Sequence, residues 1–144
     1  MNLIINKYAF VIVPIISWFI AQLLKFIHVM AKYKQMDFRR LVGSGGMPSG
    51  HSAFIVSLAT VTAKRLGIDS FEFGLTFAIS LIVMYDATGV RRAAGKQAQV
   101  LNKIIYAQDS KIKVEEKLKE LIGHTPVEVF AGALLGIVFG VLFG

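Results

Sequence analysis

An all-α integral membrane bundle is the fold class this sequence predicts. Hydrophobic residues make up 55% of the 144 positions and charged residues only 17%, against roughly 45–50% and about 25% in soluble domains. The mean hydropathy is +0.62. Apolar stretches recur along the chain, and a spanning helix needs about 20 mostly apolar residues. The composition excludes a disordered chain, a fibrous repeat and an ordinary soluble domain. About four spanning helices are expected, with amphipathic helices in the segment before the last span. The length fits one membrane-embedded domain over residues 1–144.

The first span is expected over about residues 8–30, where Tyr8 to Leu24 carries no charge and Phe26 and Ile27 continue past Lys25. It is too long for a secretory signal, and no Ala-x-Ala site follows it. The run from Leu41 to Ala63 is also uncharged, but its first third is rich in Gly, Ser and Pro. The second helix is therefore expected over about 50–66, with Lys64 and Arg65 snorkelling at its end. The third covers about 71–90, with Glu72 near its start and Asp86 near its end. The fourth covers 125–144 and carries one acid, Glu128.

A polar insertion, 91–123, separates the last two spans. Its earlier piece, QAQVLNKIIY, reads as helix. Its later piece, KVEEKLKELIG, places Val114, Leu118, Leu121 and Ile122 on one helical face, with Gly123 as C-cap.

Charge gives sidedness. The net charge is +7 and there is no cysteine, so disulfides, cysteine zinc sites and a thiol nucleophile are excluded. With spans two and three as a hairpin, 13 Lys and Arg fall on the side of the two long loops and three on the other. The positive-inside rule puts those loops in the cytoplasm and both termini outside. The expected location is the cell membrane, multi-pass, with the site on the cytoplasmic side. The apolar fraction argues for membrane lipids as surroundings and against a nucleic-acid partner.

That same face gathers the polar residues. Ionisable groups inside a span are costly and so informative. His51 opens span two, Asp86, Arg91 and Arg92 close span three, His124 and Glu128 open span four, and Lys32 and Arg39 follow span one. His124 and Glu128 are four apart and stack on one helical face. A carboxylate there fixes the imidazole tautomer and leaves the other nitrogen as nucleophile or base. The plain alternative is a helix-opening His beside an acid favoured by the helix dipole. Gly43 to Ser52 reads GSGGMPSGHS, a glycine-rich loop entering a helix start, where backbone N–H groups suit a phosphate. A flexible turn capped by Ser49 is the plain alternative. Asp86 suits an ion pair with an arginine. A metal role for it matches no known ligand spacing, so no metal and no cofactor is expected. Gly132, Gly136, Gly140 and Gly144 recur every four residues and form a small-residue packing face. Its expected use is within the chain, with a homodimer through this glycine face as the alternative.

Met47-Pro48-Ser49-Gly50-His51-Ser52-Ala53 resembles the PSGH motif of the type-2 phosphatidic acid phosphatase superfamily, which includes the vanadium haloperoxidases. Gly123-His124 through Glu128, running on to Gly132 and Gly136, resembles its last motif, His-x-x-x-Asp before a glycine-rich helix. Lys32 to Arg39 resembles its first, Lys-x6-Arg-Pro, with Arg40 in place of proline. With YDATGVRR at Tyr85–Arg92, nearly the whole chain looks like a divergent branch of this superfamily.

The resemblance implies a metal-independent phosphatase acting on a lipid phosphate, of the phosphatidylglycerol phosphate, phosphatidic acid or prenyl phosphate type. It makes His124 the nucleophile that becomes phosphohistidine, Glu128 its orienting acid and His51 the general acid. It makes Lys32, Arg39, Ser49, Gly50 and Arg91 or Arg92 the phosphate-binding set. Two departures stand out besides Arg40: Glu128 replaces Asp, and Arg91 lies 33 positions before His124 rather than six. A non-catalytic lipid-phosphate binding or scaffold protein is the second reading, and a small transporter or channel subunit the third. A haloperoxidase is the least favoured, because a membrane-embedded chain suits lipid substrates.

Overall fold

The computed structural model describes residues 7–33, 46–107, 117–120 and 122–144. These form five helices and no strand: α1 Ala9–Tyr33, α2 Gly50–Leu66, α3 Phe71–Thr88, α4 Val90–Ile105 and α5 Pro126–Phe143. Among the described residues three stretches are long and apolar enough to cross a membrane: Ala9–Ala31, the helical run from Phe71, and Pro126–Phe143. The protein is an all-α membrane helical bundle.

The second expected span, α2, has 17 residues and falls short of that length. It is the central helix, packed against α5, α1 and α3. Surrounded by helices, it needs little apolar surface for lipid. Its buried hydroxyls are satisfied locally: Ser57 Oγ donates to the Phe54 carbonyl at 2.8 Å and Thr62 Oγ1 to the Leu58 carbonyl at 2.9 Å. Ser17 of α1 donates to the Ala53 carbonyl at 3.1 Å. Such small residues let helix backbones approach closely in a membrane, where apolar burial gives little drive.

The glycine stripe of α5 serves this approach. A Cβ at Gly132 would collide with the Ser49 carbonyl oxygen, and one at Gly136 would sit 2.7 Å from the Ala53 oxygen. One at Gly140 would sit 2.5 Å from Thr60 Cβ. The stripe is covered by α2 within the chain. At the far end of the bundle Ala9, Val13 and Val61 form a small apolar core with Phe139 against it. There Lys64 Nζ donates to the Val141 carbonyl at 2.8 Å.

α3 is peripheral. Of its residues only Ser80 and Ala87 are buried, while Leu75, Ile82 and Tyr85 are exposed along an apolar surface suited to lipid. Ser70 caps its start by accepting from the Phe73 N–H at 3.2 Å. Gly89 separates α3 from α4. α4 buries Gly95, Ala98 and Asn102, one helical face, and the returning chain lies over it.

The later piece of the insertion differs from expectation. Residues 117–120 and 122 are not helical, and Val114 and Leu121 lie outside the described residues. Asn102 explains the difference. Its Nδ2 donates to the Leu118 carbonyl at 2.8 Å, and its Oδ1 accepts the Leu118 N–H at 3.0 Å. Those are the backbone groups a helix would use. Gly95 permits the approach, because a Cβ there would stand 2.8 Å from the Ile122 carbonyl oxygen.

Candidate active site

The site lies where the second half of α1, the start of α2, the end of α3 and the start of α5 meet. His124 is placed just before α5 by its backbone N–H, which donates to the Ala87 carbonyl at 2.9 Å. Gly123 adopts φ +89, and a Cβ there would collide with the Arg92 backbone nitrogen. Glycine is required here both by conformation and by contact, not as a helix C-cap. The insertion thus returns onto the start of α4, and the 33-residue separation of Arg91 from His124 closes in space.

The His124 side chain is buried, and its Nδ1 lies 3.0 Å from Glu128 Oε2. The same Oε2 accepts the Thr125 N–H at 3.2 Å, while Thr125 Oγ1 accepts the Glu128 N–H at 3.3 Å. This is a complete capping box. Glu128 therefore contacts the imidazole and closes the helix cap at once. Glutamate has the length to reach back from the third helical position to the cap, which fits its place here instead of aspartate. The remaining ring nitrogen, Nε2, is buried with no side-chain partner among the described residues, and the Gly46 backbone faces the ring. Burial pushes the His124 pKa below its ordinary 6.5, opposed by the hydrogen bond and charge of Glu128. A neutral ring with Nδ1–H directed at Glu128 leaves the Nε2 lone pair free to attack.

His51 is exposed on the first turn of α2. Its ring meets that of His124 edge-on, with centroids 6.2 Å apart and planes at 66°. Ser49 caps α2, its Oγ accepting from the Ser52 N–H at 3.4 Å and the Ser52 hydroxyl at 3.1 Å. Its own N–H donates to the Glu128 carbonyl at 2.9 Å. Ser49 thus has its N–H committed to holding two motifs together. The first-turn N–H groups of Gly50 and His51 have no helical acceptor, the arrangement at a helix start that suits an anion.

Asp86 pairs with Arg91 through Nε, and both side chains are partly exposed. Both charges act on His51. Arg92 is half-buried, and its backbone supports Gly123. Arg39 and the Lys32 side chain lie outside the described residues. Among the described residues no group of three or more His, Cys, Asp or Glu stands together as a metal-binding set.

Two residues of α1 join the site that the motifs do not include. Lys25 is 3% exposed, and its stem crosses Gly46, where a Cβ would be 3.3 Å from Lys25 Cγ and Cδ. Gln22, three residues earlier, packs beside Gly50. The signal in the sequence is a lysine inside an otherwise uncharged span. Sidedness counting absorbs it as one more loop-side charge.

The fold and site define a membrane-embedded helical bundle with a carboxylate-held histidine among cations at one end. The chain matches the model of the Divergent PAP2 family over residues 6–139 and belongs to that family. It is 40% identical over 116 residues to the uncharacterized membrane protein YuiD of Bacillus subtilis (strain 168), covering 72% of this chain and 73% of that one. No solved structure matches the chain.

Proposed function

We propose that this PAP2-like membrane protein hydrolyses a lipid phosphate through a phosphohistidine on His124. The observation that carries the reading is the His124 ring itself, with Nδ1 bonded to Glu128 and Nε2 buried with no side-chain partner among the described residues. Nε2 attacks phosphorus in line with the leaving oxygen. The P–O bond breaks, and its electron pair stays on the departing oxygen, which takes a proton from a protonated His51. Water then attacks the phosphoryl group with His51 accepting its proton. The P–N bond breaks, and inorganic phosphate leaves. Glu128 stabilises the charge that the ring acquires. Arg91 and the first-turn N–H groups of α2 stabilise the equatorial oxygens, where charge develops in phosphoryl transfer.

Lys32 and Arg39 complete this proposed phosphate-binding set, as the first motif implies. The charge distribution favours a cytoplasmic site. It favours inner-leaflet substrates such as phosphatidylglycerol phosphate or phosphatidic acid over an externally presented prenyl diphosphate.

The test is phosphate release from a panel of lipid phosphates in detergent with EDTA, for wild type and His124→Ala. Release that survives EDTA and vanishes in the variant supports the mechanism and identifies the headgroup. No release from a folded wild type that still binds vanadate turns the reading to a non-catalytic lipid-phosphate binding protein.

A further inference from the structure

A lysine buried in a helical bundle needs a counter-charge, because an uncompensated ammonium costs several kcal/mol. Lys25 is almost fully enclosed, and its charge acts on Glu128, His51 and His124. Glu128 is the acid within that reach, but its Oε2 is engaged with His124 and the Thr125 N–H. No ion pair forms between Lys25 and Glu128. Asp86, the other nearby acid, is paired with Arg91. Among the described residues, one carboxylate, shared with a histidine, therefore faces Lys25 together with two imidazoles. Such a balance suits an anion.

A second observation points the same way. Gln22 is 9% exposed, and its buried Oε1 has no hydrogen-bond partner among the described residues. Its side chain lies against Gly50, where a Cβ would be 3.6 Å from Gln22 Cδ, beside the first-turn N–H groups that the proposed function assigns to phosphate. Buried polar groups are nearly always paired; the Oε1 oxygen can pair only with a donor, which the P–OH of a protonated phosphate or vanadate supplies, while the amide N–H groups donate to its other oxygens.

We infer that Lys25 and Gln22 form an anion-holding face of α1, in which the Lys25 ammonium binds a phosphoryl oxygen and the Gln22 amide hydrogen-bonds the same group. This rests on the proposed phosphate site and extends it to residues outside the recognised motifs. It also explains why a charge interrupts the first span. The rival role for Lys25 is a fold-holding counter-charge to Glu128. The two roles predict opposite stability changes on its removal.

The experiment is the melting temperature of the full chain in detergent, with and without orthovanadate, for wild type, Lys25→Met, Lys25→Arg and Gln22→Leu. Expected is a vanadate-induced rise in wild type and a partial rise in Lys25→Arg. Lys25→Met should melt at or above the wild-type temperature without vanadate and show a vanadate Kd raised at least ~10-fold, as loss of a charged hydrogen bond predicts. Gln22→Leu should weaken vanadate binding by a smaller factor. A Lys25→Met protein that melts lower, or does not fold, or keeps the full vanadate shift overturns the assignment while the phosphate reading stands. A wild type that responds to neither vanadate nor inorganic phosphate overturns both.

Discussion

The backbone N–H of Ser49 donates to the carbonyl of Glu128 at 2.9 Å. One main-chain hydrogen bond thus locks the glycine-rich loop to the first turn of α5. It sets His51, two residues after Ser49, against His124, four residues before Glu128. The relative placement of the two histidines is built into the α2–α5 contact and does not depend on either imidazole.

Gly132→Ala tests that contact. The new methyl would press on the Ser49 carbonyl and on Ser52 Cβ, and forcing a methyl into a packed site costs about 1–3 kcal/mol. A lower melting temperature and reduced vanadate affinity are expected together. Gly74→Ala is the control, because nothing lies within 4 Å of its Cβ position. That change should raise stability by roughly 0.5–1 kcal/mol through helix propensity.

Glu128 serves the cap and the histidine with one oxygen, and two variants separate these roles. Thr125→Val removes the hydroxyl that accepts the Glu128 N–H. It should lower stability by about 0.5–2 kcal/mol and leave turnover nearly intact. Glu128→Gln should keep most of the stability but lower phosphate release by about 10²–10⁴-fold, the range for a disabled acid–base partner. Equal loss of turnover in both variants would show that capping alone matters.

Acid should act on the fold and on turnover through His124. Its native pKa lies below the ordinary 6.5 because the ring is buried. In the unfolded chain the ring takes up its proton near pH 6.5. Below that pH the unfolded chain binds more protons than the native one, so stability falls as pH falls. It is complete above about pH 6.5. Melting scans from about pH 7 to about pH 5 should show this decline, flattened in His124→Asn. The acid limb of kcat/KM should lie below the free-histidine value, since the attacking ring must be neutral.

Asn102→Ala should release the returning strand of the insertion. Asn102 is buried and makes hydrogen bonds to both backbone groups of Leu118 and to Glu120 Oε1 at 2.8 Å. Leaving those partners unpaired costs about 1–3 kcal/mol. Limited trypsin digestion should cut at Lys117 or Lys119 faster in the variant than in wild type.

Much of the helical frame is legible in the amino-acid sequence alone. Ser49 reads as the cap of a helix start and acts as the N-cap of α2. The pairing of His124 with Glu128 follows from four-residue spacing. Other features are hidden, for identifiable reasons. Apolar periodicity at 114–122 suggests a helix, but it carries no sign that Asn102, sixteen residues before Leu118, claims that residue's backbone. Lys25 reads as a loop-side charge until the bundle closes around it. The central place of α2 is equally hidden, because a serine- and threonine-rich helix looks like a weak span when its neighbours are unknown.

Gly95 and Ile122 have their backbones in contact, so the two ends of the stretch between them lie side by side. Topologically this excursion between Gly95 and Ile122 is a loop hung from a closed clasp. The entropy of closing such a loop grows only slowly with length, about 0.6 kcal/mol per doubling. The excursion can therefore be lengthened, given a reporter domain or opened as new chain termini, while the two histidines keep their separation.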